Sequence, residues 1–142
     1  MIRATKQLPM KYQEIKQEME KKHSELFRSV GLFWAFNNEQ WEEGRKANPI
    51  PEGEKYSHIG HGGYLPKSNL KKFIDGMEEV KKWEKDQIKA HKQQDAAILY
   101  ELGNHECWYT GDISPVVELF PHVKKDRIWK IYKENARKQE VL

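Results

Sequence analysis

Apolar residues recur at helical spacing through most of this chain. Between residues 10 and 31 they stand three or four positions apart, or at sums of these, and lysine and glutamate fill many of the positions between them. This is the pattern of an amphipathic helix, and Gly31 can end it in the left-handed conformation that glycine readily adopts. We therefore predict a helix over residues 10–31, preceded by a flexible arm over residues 1–9.

The next segment, Leu32-Phe33-Trp34-Ala35-Phe36, is apolar throughout, which suits either a buried strand or the start of a helix. A helix is predicted from about Asn37 to Lys46, so that residues 32–46 hold an aromatic segment and a helix. Residues 47–66 contain three prolines and a run of closely spaced glycines. Because proline interrupts helices and long loops are uncommon in compact domains, we predict a long, ordered Gly/Pro-rich loop that could include a short β-hairpin.

A second long helical pattern follows this loop. Ser68 or Asn69 can cap its start and Gly103 can end it, so a helix is predicted over residues 68–102, packed antiparallel against the first helix. Its weakly apolar middle is a candidate contact for a homodimer. A turn over residues 103–113 follows, and Ser114-Pro115 begin a C-terminal helical hairpin over residues 114–142. The predicted fold is a mainly α single domain over residues 1–142, with long antiparallel helices.

Composition narrows the class of protein. Lys and Arg number 25 against 22 Asp and Glu, and the net charge of +3 neither demands a nucleic-acid partner nor suits a DNA mimic. Aromatic residues make up 11% of the chain, which argues against disorder. Cys107 is the single cysteine, so no internal disulfide can form, and no apolar run approaches the roughly 20 residues that cross a bilayer. With no signal-peptide pattern at the N-terminus, we predict a cytoplasmic protein with no membrane segment.

Three polar clusters are predicted to meet at one binding site. The clusters are Asn38, Glu39 and Gln40; His61, Gly62, Gly63, Tyr64 and Lys67; and His105, Tyr109 and Asp112. In the second cluster, the glycine backbone, Lys67 and the start of the following helix could hold an anion. A tight turn that packs Tyr64 against a helix is an equally simple interpretation of the same residues.

A metal site and catalysis are weaker hypotheses. Nitrogen and sulfur ligands suit tetrahedral zinc, but the spacing of the four candidates, His58, His61, His105 and Cys107, is not that of a standard zinc finger. Glu39, Glu106 and Asp112 could work with a histidine as acid and base, whereas Asp112 also has a structural use in the turn before Ser114. We expect no bound cofactor and no catalytic residue, with zinc as the one cofactor the sequence could accommodate.

The C-terminal hairpin suggests a further partner. Two helices joined by a short turn can form a helix-turn-helix, and basic side chains contact phosphates. Acidic residues are interspersed among them, which suits a solvated helix face equally well. The basic residues are Lys124, Lys125, Arg127, Lys130, Lys133, Arg137 and Lys138.

Three motifs together resemble an uncharacterised family of small proteins carried by bacteria and their phages. They are FWAFNNEQ at residues 33–40, IGHGGYLPK at residues 59–67 and YELGNHECWYTGD at residues 100–112. The resemblance extends from about residue 25 onward. It implies an accessory role on a phage or mobile element, including interference with host defence, and it implies no catalytic residues.

The sequence thus predicts a non-enzymatic binding protein that acts in the host cytoplasm. Its partner would be a host protein or a small anionic ligand such as a nucleotide. A nucleic-acid-binding helix-turn-helix protein and a metal-dependent hydrolase are the alternatives.

Overall fold

A computed structural model describes residues 10–139, so the predicted arm over residues 1–9 and the last three residues lie outside the described part. Within it, most residues are helical and three short strands form one sheet, which confirms the mainly α prediction. A 3-10 turn over Lys67–Asn69 leads into α3. The elements in chain order are α1 Tyr12–Ser29, β1 Phe33–Trp34, α2 Asn38–Ala47, β2 Tyr56–Gly60, β3 Gly63–Pro66, α3 Leu70–Ala90, α4 Gln94–Asn104, α5 Cys107–Thr110, α6 Ser114–Leu119 and α7 Lys125–Gln139.

The chain divides into two compact units. We call residues 13–86 the sheet unit, because it contains all three strands. We call residues 10–12 together with residues 87–139 the helical unit. Among the described helices, none has both the length and the apolar composition that a membrane span requires.

In the sheet unit, β3 is the central strand and pairs antiparallel with β1 and β2. Tyr64 therefore lies between Phe33 on one neighbouring strand and His58 on the other. The Gly/Pro-rich loop thus contains the β-hairpin that the sequence allowed. Of the two structures predicted for the apolar segment before α2, a strand and a helix start, the strand is the one observed. The helix predicted from about Asn37 begins at Asn38 and ends at Ala47.

Helices α1 and α3 pack against each other in the sheet unit. Along α1, Lys22 lies over the Trp83 ring at 4.7 Å from its centroid, and Phe27 lies against Phe73 with ring centroids 6.1 Å apart. As the residue number rises in α1, the number of the contacted residue falls in α3, so the two helices run antiparallel as predicted.

The long helix predicted over residues 68–102 is interrupted, which corrects that prediction. Helix α3 ends at Ala90 and α4 begins at Gln94. Lys92 is left-handed, with φ 53°, the Gln93 amide donates to the Ile88 carbonyl at 2.8 Å, and the Lys92 amide donates to the Lys89 carbonyl at 3.3 Å. This is the bonding of a Schellman helix end, which glycine usually provides and lysine provides here.

The side chains at this break hold the start of α1. His91 Nδ1 accepts a hydrogen bond from the Met10 amide at 3.0 Å, and Gln93 Oε1 accepts one from the Tyr12 amide at 3.0 Å. Amides in the first turn of a helix have no partner within the helix, so Gln93 satisfies the amide of Tyr12, the first residue of α1, and His91 holds Met10 just before it. The side chains at the helix break therefore also bind the backbone at the start of α1, 81 residues away in sequence.

Replacing Lys92 by glycine should stabilise the helical unit by about 0.5–1 kcal/mol, because glycine adopts positive φ without the steric cost that a Cβ carries. Lys89 lies in the last turn of α3 and is a matched control, since glycine at a helical position should destabilise the helix, by up to about 1 kcal/mol. Urea unfolding of both variants measures the difference. Destabilisation by both glycines would contradict the Schellman assignment.

The helical unit is built on one apolar cluster that draws on α4, α5, α6 and α7. Helices α6 and α7 occupy the region predicted as a C-terminal hairpin, and α5 occupies part of the predicted turn. Partly buried rings of Trp108, Phe120 and Tyr132 pack against the cluster. Its buried members are Ile98, Leu102, Cys107, Ile113, Val116, Ile128 and Ile131.

Candidate functional site

A cluster of aromatic rings fills the space between α2 and the sheet. Trp41 of α2 contacts the rings of Tyr64 and Tyr56, with centroids 4.8 and 5.2 Å away. Phe33 contacts the Trp41, Tyr56 and Tyr64 rings at 5.6, 5.6 and 5.9 Å, and His58 stacks on the Tyr64 ring at 4.6 Å. Edge and offset contacts of this kind add to the free energy of burying the rings. The cluster therefore fixes Trp41 and Tyr64 as a rigid wall.

A shallow groove of about 450 Å³ opens beside this wall. Phe36 stands at its rim with 73% of its surface exposed, although its backbone is tightly held. Among the described residues, the lining contains aromatic rings and amide side chains and no charged residue. The lining residues are Ala35, Phe36, Asn37, Asn38, Trp41 and Tyr64.

Hydrogen bonds at the start of α2 fix the polar side of the groove. Asn37 caps the helix, since its Oδ1 accepts the Gln40 amide at 2.8 Å. Gln40 Oε1 in turn accepts the Phe36 amide at 2.8 Å. This arrangement is a variant of the capping box, since Gln40 reaches back to the amide of Phe36 rather than to that of the cap residue Asn37, and it fixes the backbone of Phe36. Gln40, predicted as a binding residue, therefore has a structural use, while Asn38 lines the groove and Glu39 is exposed in the first turn of α2.

The glycines of the hairpin make room for aromatic side chains. A Cβ at Gly62 would lie closer than 3.0 Å to two atoms of the Phe36 ring, and φ there is 80°. The Gly62 carbonyl accepts the Ala35 amide at 2.8 Å, and a Cβ at Gly63 would meet Trp34 and Ile59. These contacts favour the tight-turn interpretation of the glycine-rich run over an anion site.

The other predicted residues of the sheet unit lie outside the groove. His61 is exposed at the hairpin turn with φ 51°. Lys67 is also exposed and lines a second shallow depression of about 420 Å³ with Glu54 and Lys55. Of the predicted set, the groove thus brings together Asn38 and Tyr64.

Three predicted residues lie in the helical unit. His105 Nε2 is 3.3 Å from Glu101 Oε2, and Tyr109 is 84% exposed. Asp112 Oδ1 accepts the Ser114 amide at 2.9 Å and the Ser114 hydroxyl at 2.6 Å, and these hydrogen bonds lower the pKa of the Asp112 carboxyl. Asp112 therefore has the structural use that the sequence allowed, at the start of α6. A site that combines all three clusters stays a prediction.

The arrangement gives no support to the predicted zinc site. In the part of the chain from residue 10 to residue 139, no group of three or more His, Cys, Asp or Glu side chains is placed to hold a metal ion. His58 stacks on Tyr64, and Cys107 is completely buried in the apolar cluster of the helical unit. Burial, followed by the nearby Asp112 charge, raises the pKa of the Cys107 thiol, which opposes both metal binding and nucleophilic attack.

The sequence contains a further signal for the groove. The helix predicted from about Asn37 leaves Phe36 outside it. The pair Asn37-x-x-Gln40 supports this start, because asparagine followed three residues later by glutamine is typical of a helix N-terminus. Contact between Tyr64 and Trp41 depends on strand pairing and carries no local sequence signal.

Comparison with known proteins places most of the chain in one family. The matching family model is described as "Family of unknown function (DUF7659)" and covers residues 15–138. This range includes every groove residue and all three motifs. No curated protein and no solved structure matches the chain.

Proposed function

Because the chain belongs to this family of unknown function, we propose a role from the groove itself: a non-enzymatic binding protein whose groove takes a segment of a partner protein. The observation that carries this proposal is Phe36, a large apolar side chain that is 73% exposed on a backbone held by a capping box. The ring lies beside a groove that has aromatic walls, and binding of a partner there would remove it from water.

The chemistry of the groove supports a protein partner. Protein interfaces are enriched in aromatic residues and depleted of charge at their centres, and the groove lining has this composition. Trp41 and Tyr64 offer fixed ring surfaces to an apolar side chain, and the Asn38 amide at the rim can bond to a peptide backbone. A volume of about 450 Å³ suits one or two anchoring side chains.

The other predicted ligands fit this groove less well. A small anion binds most strongly to cationic side chains, and no lysine or arginine of the described chain lines the groove. A metal-dependent hydrolase would need a ligand cluster, which the described residues do not provide. We extend the proposal to a host protein as the partner, on a phage or mobile element in the host cytoplasm, and the support for this setting is the resemblance of the three motifs.

Panning a random-peptide display library on the immobilised protein tests the groove and requires no identified partner. We expect enriched peptides to share an aromatic or aliphatic anchor. Their affinity should fall about tenfold for Phe36→Ala if the ring is an anchoring contact, because truncating such an aromatic residue costs more than about 1 kcal/mol. Asn38→Ala should weaken binding to a smaller extent.

Tyr109→Ala is the matched control, because Tyr109 is equally aromatic and 84% exposed but lies in the helical unit. It should leave binding of the enriched peptides unchanged. Equal losses for Phe36→Ala and Tyr109→Ala, or enrichment that survives Phe36→Ala, would refute the groove as the binding site.

A further inference from the structure

Positive charge is concentrated in one segment of the helical unit. Residues 124–138 contain seven Lys and Arg against two Asp and Glu, a net charge of +5, whereas the whole chain carries +3. The rest of the chain therefore carries a net −2. Helix α7 spans nearly all of this segment, so the basic residues lie along a single helix.

The same helix carries an exposed aromatic ring. Trp129 is 41% exposed and stacks on Tyr132, with centroids 5.2 Å apart and planes 12° from parallel. Tyr132 stacks in turn on Trp108 at 5.3 Å and 13°, and both rings pack against the buried cluster of the unit. The ladder of three rings therefore holds the outermost ring, Trp129, in a fixed orientation.

The exposed Trp129 ring and several basic side chains lie on the same face of α7. The buried positions Ile128 and Ile131 define the inner face. At 100° per residue, Trp129, Lys130, Lys133 and Arg137 all project away from it, together with one carboxylate, Asp126. The Lys133 ammonium lies 5.9 Å from the Trp129 ring centroid, near the outer limit of a cation–π contact. Two of the charges on this helix are partly satisfied, since Arg127 pairs with Asp95 and Lys130 lies 3.9 Å from Glu134.

We infer that this face of α7 binds single-stranded nucleic acid, with an unpaired base on Trp129 and phosphates beside Lys130, Lys133 and Arg137. From Trp129 to Arg137 the helix rises about 12 Å, which corresponds to a few nucleotides of an extended strand. Base–aromatic stacking and cationic side chains along the backbone are the two features that general single-strand binders combine. A duplex keeps its bases stacked inside, so it offers Trp129 no partner for stacking.

The inference is independent of the proposed function, because it concerns the helical unit and a different class of ligand. Fluorescence anisotropy with a labelled oligothymidylate of about 16 nucleotides tests it at low salt. We expect binding that weakens with salt, with log K falling by about 0.7 per phosphate contact for each tenfold rise in salt. Trp129→Ala should weaken binding about tenfold, since stacking contributes roughly 1–3 kcal/mol per base. Lys133→Gln should reduce the salt slope by about 0.7.

Matched variants separate stacking from charge and from damage to the fold. Trp129→Phe keeps an aromatic ring and should retain most of the affinity, whereas Trp129→Leu keeps apolar contact with Tyr132 but cannot stack and should behave like Trp129→Ala. Trp34→Ala and Lys72→Gln remove an exposed tryptophan and an exposed lysine of the sheet unit and should have no effect.

Three outcomes would overturn the inference. The first is no binding of the oligothymidylate at low salt. The second is equal affinity for a duplex of the same length with no effect of Trp129→Leu, which indicates charge attraction alone. The third is binding to phosphatidylserine vesicles but not to the oligonucleotide, which indicates a membrane surface.

Discussion

Gly44→Ala is expected to destabilise the sheet unit by about 1–3 kcal/mol, the cost of forcing an extra methyl group into a packed core. Helix propensity alone predicts the opposite, since alanine is about 1 kcal/mol better than glycine inside a helix. The difference arises because a Cβ at Gly44 would lie closer than 3.0 Å to three atoms of the Phe33 ring. Phe33 is buried and contacts three other rings, so it cannot move without disturbing them.

Gly76→Ala is the matched control for this effect. Gly76 is also helical, and a Cβ there would also come closer than 3.0 Å to a neighbour, Leu26. The contacted atoms are the far end of a flexible side chain that is only half-buried, so Leu26 can rotate away. Hydrogen exchange at the amides of α2 and β3 measures the stability of the sheet unit in each variant. A larger loss for Gly76→Ala than for Gly44→Ala would contradict the packing described for the aromatic cluster.

The Cys107 thiol is expected to react with a disulfide reagent on the order of a thousandfold more slowly in the native protein than in urea. Cys107 has no exposed surface, so the reagent can reach it only when the helical unit opens. A Tyr109→Cys substitution in a Cys107→Ala background is the control, because position 109 is 84% exposed and should label without opening. Rapid labelling of native Cys107 would contradict its burial and would favour the hypotheses that it is a nucleophile or a metal ligand.

The raised pKa of Cys107 also makes the free energy of unfolding depend on pH. In the unfolded chain the thiol ionises at its ordinary pKa, whereas in the folded protein it stays protonated to higher pH. The stability that this group contributes is therefore complete below the ordinary cysteine pKa and is lost as pH rises towards the folded-state value. The difference in unfolding free energy between wild type and Cys107→Ala should shrink over that interval.

Most helices are predictable from the sequence because their signals are local. Apolar periodicity, Pro115 in the first turn of α6 and the glycine after α1 give helix positions close to those observed. The break after α3 is not predicted from the sequence, because glycine is the usual signal for a left-handed residue at a helix end and Lys92 occupies that position here. The side chains at the break also bond to Met10 and Tyr12, and contacts this distant in sequence leave no local signal.

The candidate site is predictable only in part, because polar residues in conspicuous motifs often hold turns. Gln40 and Asp112 both bond to backbone amides at helix starts. The groove instead depends on Phe36 and Trp41, which are not among the predicted binding residues. Whether an aromatic ring is buried or presented to solvent depends on strand pairing and on the rings opposite it, and local pattern does not specify these.

Chemical-shift mapping of a groove-selected peptide on the ¹⁵N-labelled protein shows where the peptide binds. Binding in the groove predicts the largest shifts at the amides of residues 35–38 and 64 and at the indole N–H of Trp41, with the other four indoles unchanged. Shifts concentrated in the helical unit, or spread evenly over the chain while the Trp41 indole stays fixed, would contradict it.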